Sequence, residues 1–206
     1  MELDLYLELM NEVKKRTTAV IHILSKEKTT SFRETNIEFM CLQIRKILEL
    51  ISLGSLVANR KEFENEQIKY QKFWHAERIL KDIERLNPDF YPKPITEVRS
   101  ENPNIENSLE DKTEGFLTIK EFIKVYEKCG KMMHADNPFG SKVDFDFYER
   151  QIADWLANIM GLLNTHMIKL KGHEDFFLIQ MHVQEDDLVH GYFFKEVENE
   201  NDQKGP

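Results

Sequence analysis

Cysteine is nearly absent from this chain: two in 206 residues, Cys41 and Cys129. Two thiols cannot build a disulfide framework or a cysteine zinc site. Both fall inside helical patterns, so free thiols in a reducing cytoplasm are expected. Glycine and proline are scarce as well, eight and six against fourteen Phe, which argues against a loop-rich fold and for long elements. No long apolar run exists either. The most apolar stretch, 37–58, contains Glu38, Arg45, Lys46 and Glu49, and Glu2, Asp4 and Glu8 interrupt the first turns. Neither a membrane span nor a signal segment is therefore expected, and a cytoplasmic location is. The chain also lacks a phosphate-binding glycine loop, a Gly-x-Ser-x-Gly elbow, a Walker or Rossmann fingerprint and a catalytic carboxylate pair at a telling spacing. No cofactor and no metal are expected.

Positive charge is short, and unevenly so. Residues 1–100 hold 17 Lys or Arg against 16 Asp or Glu, while residues 101–206 hold 11 against 21, which together make the net charge of −9. A general nucleic-acid binder needs a basic excess, and no Lys/Arg run advertises one. The acidic second half suits a protein partner better. Its last residues, 199–206, read as a solvated acidic tail.

What the chain does have is helical periodicity. Leu3, Tyr6, Leu7, Met10, Val13, Thr17, Val20 and Leu24 recur at three- and four-residue spacings and predict a helix over 3–24. A second helix over 33–59 is apolar around most of its circumference, which predicts a central helix over 37–58 surrounded by the others. A third is predicted over 69–86, with Tyr70, Phe73 and Trp74 inward and Asn87-Pro88 as its stop. Thr118-Ile119-Lys120-Glu121 is a capping box that opens a fourth helix expected to end between His134 and Asn137. Asp144 or Asp146 opens a fifth, through Leu163.

Between the third and fourth helices, 87–115 carries four prolines and little period, and reads as a long irregular connection. After Asn164 the pattern becomes β-branched and aromatic, predicting strands within 166–170, 176–183 and 189–197. The expected fold is mainly α: a bundle of about five helices over 1–164, with a small three-stranded antiparallel meander over 165–198 packed on it. A meander of that size needs cover, which points to a homodimer.

Two groups of residues carry candidate chemistry. On the central helix, Glu38, Arg45, Glu49, Ser52 and Arg60 fall within about 80° of one another. Arg45 and Glu49, four apart, can pair directly. They form either a structural ion pair or one wall of a site. At the end of the fourth helix, Lys128, Lys131, His134 and Asp136 bring together two cations, an imidazole and a carboxylate. Such a set offers a general acid or base and a grip for phosphate. The plainer reading is that the lysines complement the helix dipole and His134 caps carbonyls. A third group, His166, His173, His182 and His190, has spacings of 7, 9 and 8 that match no compact ligand motif, so these are expected on a strand face or in solvent.

Lys128, five intervening residues, then His134-Ala135-Asp136 within a late bundle helix resembles the HEPN superfamily. That family comprises small all-α domains, including metal-independent ribonucleases of toxin and phage-defence systems, and its signature is Arg, four to six residues, then His. Here Lys128 stands for the Arg and Cys129 for the polar residue that follows it. An ammonium cannot make the two parallel hydrogen bonds of a guanidinium, and Arg45 is the candidate to supply one instead. The resemblance implies an RNA substrate and a composite site across a dimer. His134 would be acid/base on a ribose 2′-OH, Lys128, Lys131 and Arg45 the cations, and Asp136 the group that orients His134. The alternative is a non-catalytic regulatory or protein-interaction module of the same helical fold.

Overall fold

A computed structural model describes residues 2–60, 76–99, 107–169, 175–183 and 186–195. Among them are five helices: α1 (Leu3–Leu24), α2 (Arg33–Ala58), α3 (Ala76–Leu86), α4 (Ile119–Lys131) and α5 (Phe145–Leu163). The expected first turns of the third helix, 69–75, lie outside the described residues. So do His173 and the acidic tail.

α1 buries Tyr6, Met10, Val13 and Val20, the stripe its spacing predicts. α2 contacts each of the other four helices and is central. It buries residues on every turn from Ile37 to Ala58, including Ser52 and Ser55. α4 begins at the expected box: Thr118 Oγ1 accepts from Glu121 N, and the Glu121 carboxylate accepts from Thr118 N at 3.0 Å. These bonds hold the Glu121 carboxyl below its usual range. Where α2 and α3 end, Asn87 Nδ2 donates to Asn59 Oδ1 at 2.7 Å, and Asn59 Nδ2 donates to the Ser55 carbonyl at 2.8 Å. This buried amide pair ties the two helix ends together and satisfies groups that would otherwise be costly to bury.

The expected three-stranded meander is part of a five-stranded antiparallel sheet. Its strands are β1 (Lys93–Arg99), β2 (Asn107–Asp111), β3 (Thr165–Lys169), β4 (Phe176–Gln180) and β5 (His190–Phe194), in the order β2-β1-β3-β4-β5. The first two come from the connection that reads as irregular in sequence. Pro94 hides β1, because proline argues against a strand inside a sheet. The register removes the conflict. Pro94 lies at the second position of β1, opposite His166 of β3, and the β2 ladder begins only at Ile95↔Asp111. The Pro94 carbonyl accepts from Lys112 N at 3.1 Å. In a strand the nitrogen faces the same side as that carbonyl, so the missing N–H removes only one bond of the terminal Pro94–Lys112 pair.

Alternation divides the sheet. His166, Ile168, Ile179 and Gly191 face the helices: His166 bonds Tyr6 of α1, and Gly191 lies against Leu3 and Leu7. Met167, Leu178 and Tyr192 form a row on the outer face, beside a stacked Phe176–Phe194 pair with ring centroids 5.1 Å apart. Burial of His166 and its neutral hydrogen bonds leave it structural. His182 and His190 pair instead with Asp187 and Asp186 at the β4–β5 turn.

Candidate functional site

α2 and α4 run antiparallel where the candidate residues lie. Cys41 neighbours Cys129, Arg45 reaches Tyr126 and Gly130, and Glu49 meets the Tyr126 hydroxyl. The helical spacing of four along α2, against three along α4, brings these pairs into successive layers.

Arg45 is engaged at all three nitrogens. One terminal nitrogen donates to the Tyr126 carbonyl at 3.1 Å, the other to the Tyr126 hydroxyl at 2.7 Å, and Nε lies 3.4 Å from the Glu49 carboxylate. The Tyr126 hydroxyl in turn donates to Glu49 at 3.2 Å. The guanidinium also sits 3.9 Å above the Tyr126 ring, where the ring's negative face attracts it. Burial raises the Tyr126 hydroxyl above its ordinary pKa, so it remains a donor.

The last turn of α4 is anchored from two sides. Arg45 satisfies the Tyr126 carbonyl, and Tyr148 of α5 donates to the Lys128 carbonyl at 3.0 Å. The Lys128 carbonyl is among the last four of the helix, which lack partners there, whereas the Tyr126 carbonyl takes Arg45 as an additional donor; together the contacts hold the α4 terminus against α2 and α5. The Lys128 ammonium lies 4.8 Å from the centroid of the Phe147 ring. Cys129 is fully buried, and the Cys41 thiol together with burial pushes its thiol pKa far up.

Beyond Lys131 the chain leaves the helix and enters solvent. Lys131, His134 and Asp136 are exposed, while Met132 is buried and pins the segment. Asp136 accepts from Val143 N at 3.4 Å, and His134 makes no hydrogen bond to a described residue. The structure therefore brings Arg45, Tyr126 and Lys128 to the α4 end and places His134 on the open segment after it. No hydrogen bond or ion pair joins His134 to Asp136 or to Arg45 among the described residues. Among the described residues no three His, Cys, Asp or Glu side chains are grouped to hold a metal, and no helix is long and apolar enough to cross a membrane.

No family model matches this chain, and neither does any curated protein or solved structure. The site's features must therefore be read from the residues themselves.

One such feature is missed by sequence motifs. Phe139 is 97% exposed, at the tip of a turn held by Asn137, whose side chain accepts from Phe139 N and whose carbonyl accepts from Gly140 N. Phe32, at the start of α2, is 68% exposed. The same end of the bundle holds both, because Arg33 bridges α2 to Asp146 and Glu149 at the start of α5. Lys131 and His134 precede Phe139 on the same chain segment from α4 to α5. A Pro-Phe-Gly turn signals only a bend; the exposure of its ring is seen only in the folded chain.

Gly130 provides a test of how firmly Arg45 is held. A methyl group there would lie 2.7 Å from the guanidinium, so Arg45 must shift. The obstacle is the tip of a flexible side chain, and alanine adds about 1 kcal/mol of helix propensity. Losing one hydrogen bond costs about the same. Gly130→Ala should thus leave the melting temperature nearly unchanged in a thermal denaturation. A large drop would show that the guanidinium cannot move.

Proposed function

We propose that this chain is a HEPN-like helical module that acts by binding rather than by cleaving RNA, and that it does so as a homodimer joined at the bundle end carrying Phe139. The observation that carries the reading is the exposed Phe139 ring, with Phe32 and Met133 also exposed. Large exposed aromatics on a rigid turn are typical anchors of protein interfaces. Charges of both signs surround them, Lys131 and Lys142 against Asp136 and Asp144, as a self-complementary contact requires. The internal engagement of Arg45 supports the non-catalytic half of the proposal, since its guanidinium already grips Tyr126 and Glu49.

Sedimentation tests the association. The wild-type chain should be a dimer at micromolar concentration and Phe139→Ser a monomer with unchanged circular dichroism. A monomeric wild type would end the dimer reading.

A second reading, a metal-independent ribonuclease, is favoured by the unengaged, exposed His134 imidazole at the same end, where two copies would bring their His134 and Lys131 residues together. It is separated from the first by incubating the protein with RNA in EDTA. The binding reading expects intact RNA. Cleavage that disappears in His134→Ala, with stability within about 1 kcal/mol of wild type, would establish the nuclease. Lys128→Arg would then keep or raise the rate, because it restores the guanidinium fork.

A further inference from the structure

β5 forms one edge of the sheet, and its register fixes which backbone groups it leaves open. Met181 N donates to the Asn164 carbonyl, one step past the β3–β4 ladder. Bonding alternates along an antiparallel strand. Ile179 and Phe177 therefore bond β3, while Gln180, Leu178 and Phe176 bond their β5 partners His190, Tyr192 and Phe194. Gly191 and Phe193 turn both N–H and C=O away from β4. No hydrogen bond from a described residue reaches these four groups.

Proteins usually guard such an edge with charge, proline or a bulge. The opposite edge, β2, carries Glu110 and Asp111. β5 reads His190-Gly191-Tyr192-Phe193-Phe194, with no carboxylate, ammonium or proline. Tyr192, Phe193 and Phe194 are 41–47% exposed. Cross-strand neighbours hold two of these rings, Phe193 lying 4.9 Å from Phe177 and Phe194 5.1 Å from Phe176 between centroids.

α1 adds charge beside this edge. Tyr6 bonds His166 on β3, while Leu3 and Leu7 lie against Gly191 on β5. At 100° per residue, going around α1 in the same direction by about another 100° reaches Asp4 and Glu8. These two overhang the open side of β5. Both are exposed, and neither makes an ion pair or hydrogen bond with a described residue. The next charge on their stripe, Lys15, is about 10 Å beyond Glu8. Lys195, just after the strand, lies over the Phe193 ring instead.

We propose that β5 is a docking edge for an extended segment of another protein, which joins the sheet as a sixth strand. The side chains of that segment alternate. Apolar ones lie on the outer face against Tyr192 and Phe194, and a lysine or arginine lies on the inner face, opposite Gly191 and under Asp4 and Glu8. Strand addition draws affinity from main-chain bonds and specificity from alternate side chains. Gly191 and Phe193 supply the bonds, and the two carboxylates select the charge. Leu3 and Leu7, resting on Gly191, give the stem of the basic residue an apolar flank. The edge lies at the start of α1, roughly 30 Å from the far end of that helix, beyond which Phe32 opens α2. It is therefore independent of the Phe139 dimer, and both surfaces can be occupied at once.

Fluorescence anisotropy of the full chain with two labelled seven-residue peptides tests it, one alternating valine with lysine and the other valine with glutamate. The lysine peptide should bind saturably at micromolar concentration, at least about tenfold tighter than the glutamate peptide. Phe193→Pro removes an outward N–H without touching the β4 ladder, a change that an edge strand tolerates. It should weaken binding about tenfold relative to Phe193→Leu, which keeps that N–H. Asp4→Asn combined with Glu8→Gln alters only exposed side chains, and should bring the two peptides to similar affinity. Circular dichroism near that of wild type shows which variants are folded, and the double substitution decides the matter if Phe193→Pro is not. Three results would overturn the proposal: no saturable binding of the lysine peptide at millimolar concentration, equal affinity of wild type for both peptides, or equal binding by folded Phe193→Pro and Phe193→Leu. Occupation of the edge by a second copy would overturn it too, and would appear in sedimentation as association of Phe139→Ser that Phe193→Pro abolishes.

Discussion

Acidification from pH 6.5 to about 4 should remove about 3 kcal/mol of folding free energy through a single imidazole, that of His166. His166, on β3, is fully buried against α1 and the end of α5. Its Nδ1–H donates to the Leu163 carbonyl at 2.7 Å, and Nε2 accepts from the Tyr6 hydroxyl at 2.8 Å. Both ring nitrogens are thus satisfied in the neutral form. A second proton would need a home on Nε2, facing a hydroxyl that must then turn its own hydrogen into an apolar core. Burial holds the His166 pKa down to about 4, against the opposing effect of the Leu163 carbonyl. The unfolded chain therefore takes up a proton that the native state refuses once the pH falls below 6.5. The stabilisation is complete above that value and is lost progressively down to about 4.

The carboxylates of Glu121, Asp146, Asp186 and Asp187 are also held below their ordinary range by their partners. Their effect has the same sign but begins only near or below pH 4.5, the upper of the ordinary carboxylate values. Urea unfolding of wild type at pH 7, 5.5 and 4.5, about where the imidazole alone titrates, isolates the His166 contribution. His166→Leu should be less stable at pH 7, because it leaves the Tyr6 hydroxyl without its acceptor, and its stability should fall less over this interval. Equal pH slopes for the two proteins would sink the assignment.

Gly161→Ala should destabilise the fold by about 2 kcal/mol or more, lowering the melting temperature by roughly 5 °C. Taken alone, alanine in a helix is worth about 1 kcal/mol over glycine, so propensity predicts the opposite sign. Packing decides. Gly161 is on α5 where the turn before α4 passes over it, and an added Cβ would lie well inside contact distance of the Gly115 carbonyl oxygen. Unlike the tip of Arg45 beside Gly130, this obstacle is backbone. Gly115 itself has φ of +70°, a conformation that glycine alone adopts freely, so the turn has little freedom to retreat. Lys112 is bound to the Gly161 carbonyl at the same place, and moving the turn would strain that contact too. Thermal denaturation of Gly161→Ala beside Gly130→Ala compares the two obstacles directly. A melting temperature at or above wild type for Gly161→Ala would show that the turn yields.

The two glycines mark where local reading ends. Both look like weak points in a helical pattern, and nothing in their neighbours along the chain separates them. Only the identity of the opposing atoms, a flexible guanidinium in one case and a carbonyl in the other, assigns them different consequences. The candidate site divides in the same way. Four-residue spacing was enough to pair Arg45 with Glu49, and the capping box marked where α4 begins, but the helix ends at Lys131 rather than between His134 and Asn137. That Tyr126 would enclose the guanidinium from ring, hydroxyl and carbonyl at once was not legible, because Tyr126 comes from a helix 81 residues away.

The helices and their inward faces follow from the sequence because a 3.6-residue period is a local property, repeated over enough turns in α1 and α2 to stand above the noise of individual residues. The central place of α2 follows too, since a helix apolar around its circumference must be enclosed. The β1–β2 hairpin does not. Its strands are short, charged and broken by Pro94, and they become strands only because β3 presents an edge for Lys93 and Pro94 to pair with. The buried His166–Tyr6 bond joins residues 160 positions apart, and no local pattern marks Phe139 as the ring left exposed. Periodicity along the chain determined which faces turn inward; contacts between distant segments decided which polar groups are buried and which aromatic ring is left in water.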